Sequence, residues 1–284
     1  MEGSDLPSFD LVVATVDRAD GLRILFDSLD RQTYRRFRVL VVDQNPDDRV
    51  ASALAASPEL ELVHLRAQRG LSRARNASLP HVTADVVAFP DDDCAYPDDL
   101  LARVARRLAD RSDLDGVTGR TTDTDGSSAG RWSTVPGAVD RDSVWHRANS
   151  ASMFLRRRLV ERVGAFDERL GLGSGTLSAS GEETDYLVRA LALGASLEYD
   201  PTLVVLHELR TLTPESLQAI GRRDGASVGF ILRKHRYPAR AVGRMLVRPL
   251  GGSVVSLARG DVDRARFHVA TLRGRVAGLR AGGR

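Results

Sequence analysis

Residues 9–43, FDLVVATVDRADGLRILFDSLDRQTYRRFRVLVVD, decide the fold. They hold two short, apolar, β-branched runs, Phe9–Thr15 and Phe37–Asp43, and between them Leu22, Leu25, Phe26 and Leu29 recur at helical spacing. Near-continuous apolar strands on either side of an amphipathic helix predict a β-α-β unit in a mostly parallel sheet covered on both faces. Working outward, residues 60–65 and 84–89 repeat the strand pattern, and Leu100, Val104 and Leu108 repeat the helical one. The class is therefore α/β, a Rossmann-like sheet flanked by helices. Such a sheet presents its ligand site at the carboxyl ends of its strands, so polar residues there are read first.

Beyond the first hundred residues the pattern loosens. Residues 121–147, rich in Gly, Ser, Thr and Asp and carrying Trp132 and Trp145, read as a long loop or lid. A strand at 150–155, a helix at 156–163, a helix at 182–193 and a strand at 202–207 complete the α/β part. After Thr213 the pattern is helical, with breaks expected at Pro238, at Pro249 and at Gly251–Gly252.

Composition narrows the function classes. With 42% hydrophobic and 28% charged residues the chain is neither disordered nor membrane-spanning, and its apolar runs are far shorter than the roughly 18 residues a spanning helix needs. A single cysteine, Cys94, excludes an internal disulfide and a cysteine-cluster metal site. The N-terminus shows no secretory signal, so a cytoplasmic location is expected. Charge is divided unevenly: residues 1–208 carry 25 basic and 34 acidic side chains, residues 209–284 carry 16 and 4. The basic end predicts contact with an anionic surface, and a peripheral position on the inner face of the plasma membrane suits it better than nucleic acid, for which no module is present. Packing against the rest of the chain, or a homo-oligomer contact, is the alternative.

Two acidic clusters carry the chemistry. Residues 90–99, PDDDCAYPDD, directly follow the strand 84–89. Adjacent carboxylates repel, and a divalent cation relieves that repulsion; alternation along extended chain would point Asp91 and Asp93 the same way, as oxygen ligands suited to Mg²⁺ or Mn²⁺. Asp98 or Asp99 reads as a helix cap. Thr15 and Asp43 end neighbouring strands and, with Asp91, place three polar groups where a base and a ribose would fit. Arg69 or Arg75 is placed to meet a phosphate. The second cluster, Glu182, Glu183 and Asp185, opens a helix after a glycine-rich stretch, and a carboxylate there would serve as general base. His207 ends a strand, as a metal ligand or as a hydrogen-bonded structural residue.

In order and spacing these motifs resemble the inverting nucleotide-sugar glycosyltransferases of family 2, with the GT-A fold, over about residues 9–210. Residues 9–48 resemble the opening strand, helix and nucleotide-binding Asp; GLSRARNASL and FPDDDCAYPDDLL resemble the helix before the DxD motif and the motif itself; GEETDYLVRALALG resembles the segment that houses the base. The resemblance implies that Thr15 and Asp43 hold the base, that Arg75, Asp91 and Asp92 contact the nucleotide sugar, and that Asp93, with Asp91 and His207, holds Mg²⁺ or Mn²⁺. Glu183 stands where the family has Asp in its Glu-Asp pair, with Glu182 and Asp185 as alternative bases. It further implies a UDP-, dTDP- or GDP-sugar donor, a hydroxyl acceptor, and a catalytic domain over 1–210 with a nucleotide-sugar half at 9–120 and an acceptor half at 121–210. A basic helical extension would then occupy 211–284. Two rivals remain, a nucleotidyltransferase, although residues 12–21 (VATVDRADG within them) lack its glycine-rich phosphate loop, and a non-catalytic nucleotide-sugar-binding membrane adaptor.

Overall fold

The computed structural model describes residues 6–128, 130, 132–208 and 212–281, which divide into two compact units. The first holds nine strands among the described residues: β1 (Phe9–Thr15), β2 (Phe37–Asp43), β3 (Leu62–Arg66), β4 (Val86–Ala88), β5 (Cys94–Ala95), β6 (Gly116–Thr122), β7 (Gly137–Ala138), β8 (Met153–Arg156) and β9 (Leu197–His207). They form one sheet in the order β3-β2-β1-β4-β8-β6-β9-β5, with β7 also paired to β9.

The first half of the sheet is parallel, as the opening β-α-β pattern predicts: β1 pairs with β2 and β4, and β2 with β3. Strands β1, β2 and β4 are largely buried, covered by α1 (Ala19–Asp30), α2 (Ala51–Ala55), α3 (Leu71–Ser78) and α4 (Leu100–Asp110), while the edge strand β3 is only partly buried. Leu22, Leu25, Phe26 and Leu29 of α1 and Leu100, Leu101, Val104 and Leu108 of α4 are wholly buried against Phe9, Leu11 and Val13 of β1 in one core. Each such side chain contributes about 1.5–3 kcal/mol of burial free energy. At the other end of β1, Asp10 is buried and takes Arg38 at 2.6 Å and the Thr83 and Ala84 amides at 2.7 and 2.9 Å, which makes it a structural group.

The second half is mixed. Strand β8 runs antiparallel between β4 and β6, while β6 and β9 pair in parallel. Glycine is required where β6 meets β8, because a Cβ on Gly116 would lie 2.7 Å from the Phe154 carbonyl oxygen. The stretch expected to be a long loop begins inside β6 and is tied down further on by β7 and by α5 (Val144–Arg147); Trp132 donates its indole N–H to the Thr121 carbonyl at 3.0 Å. After α6 (Arg157–Val163) and α7 (Glu182–Ala192), β9 is longer than the strand expected at 202–207 and starts at Leu197.

The second unit contains residues 70–72, 167–185 and the C-terminal helices α8 (Pro214–Lys234), α9 (Ala239–Ala258) and α10 (Val262–Ala281). Helices α8 and α10 meet backbone to backbone: a methyl group at Gly225 or Gly278 would collide with the carbonyl of Thr271 or Ala226. The break expected at Pro238 is present. The breaks expected at Pro249 and at Gly251–Gly252 are not, since α9 runs through all three. Proline removes the N–H that would serve the carbonyl four residues earlier. Here that carbonyl, on Met245, accepts a hydrogen bond from the Arg275 guanidinium of α10, and Pro249 itself is buried. The lost helical bond is thus replaced from a neighbouring helix.

Candidate active site

The ends of three adjacent strands meet where the parallel sheet places its ligands. Thr15 and Asp43 are register partners across β1 and β2, and Ala14 bridges to Asp91. Beyond Asp91 the acidic run forms a turn rather than extended chain, closed by the Cys94 amide on the Asp91 carbonyl at 3.3 Å. The expectation of simple alternation therefore fails, yet the turn still brings Asp91 and Asp93 to one group. Antiparallel pairing of β5 with β9 sets His207 opposite Cys94, and the His207 Nε2 lies 3.2 Å from Asp93 and 3.9 Å from Asp91. Cys94 itself is wholly buried packing. Asp99 occupies the N-cap position of α4, but its side chain makes no capping hydrogen bond.

The acidic turn is held by cations from the chain. Arg18 pairs with Asp93 at 2.7 Å and with Asp92 at 3.2 Å. Its helix reaches the turn because Gly21 has no side chain; a Cβ there would sit 3.0 Å from the Asp92 carbonyl oxygen. Arg75, one of the bulkiest buried side chains, stacks over Phe89 and Phe166 and approaches Asp91 at 4.0 Å. It therefore lies beneath the acidic turn, where its charge steadies Asp91. The hydrogen bond with Asp93 raises the His207 pKa first; burial opposes this, and the charges of Asp91 and Asp93 add to it.

Asp92 is the outlier of the three. Burial pushes its carboxyl up to about 6, against the Thr15 hydroxyl and Arg18, which lower it, while Asp93 and Asp91 raise it further. Because its folded pKa stands above the unfolded value of 3.8, the folded protein holds a proton that the unfolded chain has released between those two values. Stability contributed at this site is therefore lost as pH rises from about 4 to 6, by up to about 3 kcal/mol. In buffer free of divalent cations, Asp92→Asn is expected to remove that decline and to be more stable than the unsubstituted protein at pH 7.5. Urea unfolding across this pH range checks it, and parallel stability curves for the two proteins would contradict it.

Asp43 is completely buried and engaged on both oxygens, by the Asn45 amide and side chain at 2.9 and 2.8 Å, by His64 at 3.1 Å and by Arg66 at 3.3 Å. Burial alone would raise its pKa, but the Asn45 hydrogen bonds, then His64 and Arg66, bring it below the usual value. Asn45 also accepts from the Asp17 amide at 2.7 Å, and Asp17, at a positive φ of 59°, takes Arg49 and Arg69 at 2.8 and 3.0 Å. Sequence reading placed Asp17 beside Thr15 at the end of the first strand but missed the rest of this rim, Asn45, Arg49, His64 and Arg66. Only the position of Asn45, two residues past a strand-end Asp, signalled it.

In the second unit, the first turn of α7 carries Glu182, Glu183 and Asp185 in different states. Asp185 is fully buried and its Oδ1 meets Lys234 at 2.6 Å and His235 at 2.7 Å; Lys234 also pairs with Asp167 at 2.7 Å. Lys234 is the single lysine of the chain, and it is spent on this cluster. Glu182 is 4% exposed, whereas Glu183 is half-buried.

The donor chemistry of Asp91, Asp93 and His207, two carboxylates and an imidazole, fits Mg²⁺ or Mn²⁺. Among the described residues no three His, Cys, Asp or Glu side chains are gathered closely enough to hold an ion as they stand; Arg18 and the His207 imidazole both lie against Asp93.

The model of glycosyl transferase family 2 matches residues 10–163, more than half of the chain, and the chain belongs to that family. It is 29% identical over 215 residues to the pre-mycofactocin glycosyltransferase of Mycobacterium tuberculosis, an alignment covering 71% of this chain and 43% of that protein. The chain thus spans less than half the length of this curated relative. It is 26% identical over 218 residues to glycosyltransferase AglE of Haloferax volcanii, covering 73% and 69% of the two chains. Among solved structures, the mannosyltransferase PcManGT from Pyrobaculum calidifontis, in complex with GDP-Man and Mn²⁺, superposes with a TM-score of 0.69 at 18% identity over 96% of this chain and 87% of that one. S. aureus TarS 1–349 in complex with UDP-GlcNAc gives 0.56 at 15% identity over 94% and 92%. The fold is that of the GT-A glycosyltransferases, with a helical C-terminal region.

Proposed function

We propose that the protein transfers a sugar from a nucleoside-diphosphate sugar to a hydroxyl acceptor in one inverting displacement that depends on a divalent cation. The observation that carries this reading is the convergence of Asp91 and Asp93 on the His207 imidazole at the carboxyl ends of the sheet strands. Asp91 and Asp93 would hold the cation, with His207 as a third ligand, and the bound ion supplies charge stabilisation to a departing diphosphate. Arg18 steadies Asp93, and Arg75 steadies Asp91 from beneath. Thr15 and the group around Asp43 would receive the base, with Asp43 acting through the Asn45 and His64 side chains that it orients. Glu183 would take the proton of the acceptor hydroxyl as that oxygen bonds to the anomeric carbon and the bond to the diphosphate oxygen breaks. No covalent sugar intermediate is needed, so configuration inverts. Residues 1–210 would form the catalytic domain and 211–284 its extension.

The test is release of nucleoside diphosphate from a panel of GDP-mannose, UDP-GlcNAc and dTDP-sugars, with Mn²⁺ or Mg²⁺ and a set of hydroxyl acceptors. Acceptor-stimulated release from one donor is expected. Pyrophosphate production from a sugar 1-phosphate and a nucleoside triphosphate would overturn the reading in favour of nucleotidyl transfer.

A further inference from the structure

Helix α8 lies beyond the residues matched by the family model, yet it holds the turn that carries Glu183. A glycine-rich stretch leads into that turn, and Gly171, Gly173, Gly175 and Gly181 all have positive φ, between 74 and 90°. Glycine-rich backbone has many conformations open to it, so the place where α7 begins is set by what holds the two ends of the stretch. At the near end, Ser180 donates its amide and its hydroxyl to the Ser227 hydroxyl of α8, at 3.2 and 2.8 Å. Gly181 packs on the same helix, where a Cβ would lie 3.0 Å from Ile231 Cδ1. Two residues past Glu183, the buried Asp185 meets Lys234 and His235 at the end of α8. Glu183 thus stands between two attachments to one helix.

Lys234 does more than neutralise Asp185. Its ammonium also meets Asp167 at 2.7 Å, ahead of the glycine-rich stretch, and so joins the start of that stretch to its end. Burial would raise the Asp167 carboxyl, but hydrogen bonds from Arg169 and Lys234 hold it well below the usual range, so the link is ionic at neutral pH. Each carboxylate keeps a further partner without Lys234: Arg169 at 2.8 Å for Asp167, and His235 at 2.7 Å for Asp185. What Lys234 adds is the link between them.

We propose that Lys234 is a positioning residue for Glu183: by holding Asp167 and Asp185 on one ammonium it fixes the first turn of α7, and with it the carboxylate that takes the acceptor proton. The proposal rests on the reading of Glu183 as the general base. A base acts only within hydrogen-bond reach of its proton, and a misplacement of about 1 Å costs on the order of a hundredfold in rate. A link that served stability alone would leave turnover unchanged.

Steady-state kinetics, donor titration by calorimetry and thermal melting of the full chain with Mn²⁺ test it. Lys234→Met keeps the apolar stem and removes the link; it is expected to lower kcat by about tenfold to a hundredfold, with donor affinity within about twofold. Lys234→Arg, which restores a cation able to span two carboxylates, should recover kcat to within about threefold. Should Lys234→Met melt too low to assay, Ser227→Ala loosens the other attachment without leaving a buried charge unpaired, and is expected to lower kcat by about threefold or more at unchanged donor affinity. Turnover of Lys234→Met, or of Ser227→Ala in its place, within about twofold of the unsubstituted protein would overturn the positioning role, as would equal losses in Lys234→Met and Lys234→Arg. Glu183→Gln separates this role from the reading beneath it. An unimpaired Glu183→Gln overturns the base assignment and the proposal with it, whereas an impaired Glu183→Gln beside an unimpaired Lys234→Met overturns the positioning role alone.

Discussion

Replacing Asp93 by alanine is expected to abolish sugar transfer and the cation-dependent part of donor binding while leaving the fold intact. Asp93 is the carboxylate on which Arg18 and His207 both close, at 2.7 and 3.2 Å. Removing it also removes one of the charges that raise Asp92, so the turn loses repulsion, and Arg18 keeps its contact with Asp92. Electrostatic stabilisation of a departing diphosphate is worth several kcal/mol, which corresponds to roughly a thousandfold or more in rate. Nucleoside diphosphate release and calorimetric titration of the donor, each with Mn²⁺ and with EDTA, check both halves. Wild-type turnover by the variant, or full activity of the unsubstituted protein in EDTA, would contradict it.

Glu183→Gln is expected to lower kcat by roughly two to four orders of magnitude with donor affinity preserved, because it keeps the shape and hydrogen bonding of the side chain while removing its basicity. The first turn of α7 offers three carboxylates, and their surroundings separate them. Asp185 is fully buried and bound to Lys234 and His235, so it is not open to an acceptor. Asp185→Asn should instead weaken the fold, by about 3–5 kcal/mol where a buried pair loses one charge. Glu182 is 4% exposed, which leaves Glu183 as the accessible group. Steady-state kinetics and urea unfolding of Glu183→Gln and Asp185→Asn separate the two roles. A kinetic loss confined to Asp185→Asn, with unchanged stability, would move the base by two residues.

Much of the parallel half was legible in the sequence because its central strands, β1, β2 and β4, are largely buried. Residues such as Leu11, Val12 and Val13, or Val39 to Val42, are wholly buried without alternation, and so read as unbroken apolar runs. The mixed half was less legible. Strand β6, GVTGRTT, has little apolar content, and β5 and β7 are two residues long, shorter than any periodicity. Proline and paired glycines in α9 read as a break because the compensating donor, Arg275, stands twenty-six residues beyond Pro249 in sequence, and only tertiary packing brings it there. The acidic turn announced itself through three adjacent aspartates; Arg18 stood out only as a polar group at the end of the first strand, and its pairing with the turn did not, since its partners lie more than seventy residues away. Asp185 looked like a possible base for the same reason: Lys234 and His235, which bind it, are separated from it by about fifty positions and carry no local signal.

The role assigned to the acidic turn is tested most directly by calorimetric titration of GDP and UDP into the unsubstituted protein and into Asp93→Ala, each with Mn²⁺ and with EDTA. The expected result is tight binding of one nucleotide by the unsubstituted protein with Mn²⁺, weakened at least tenfold by EDTA, and no response to Mn²⁺ in the variant. Nucleotide binding that is equally tight with Mn²⁺ and EDTA, and equally tight in Asp93→Ala, would contradict it.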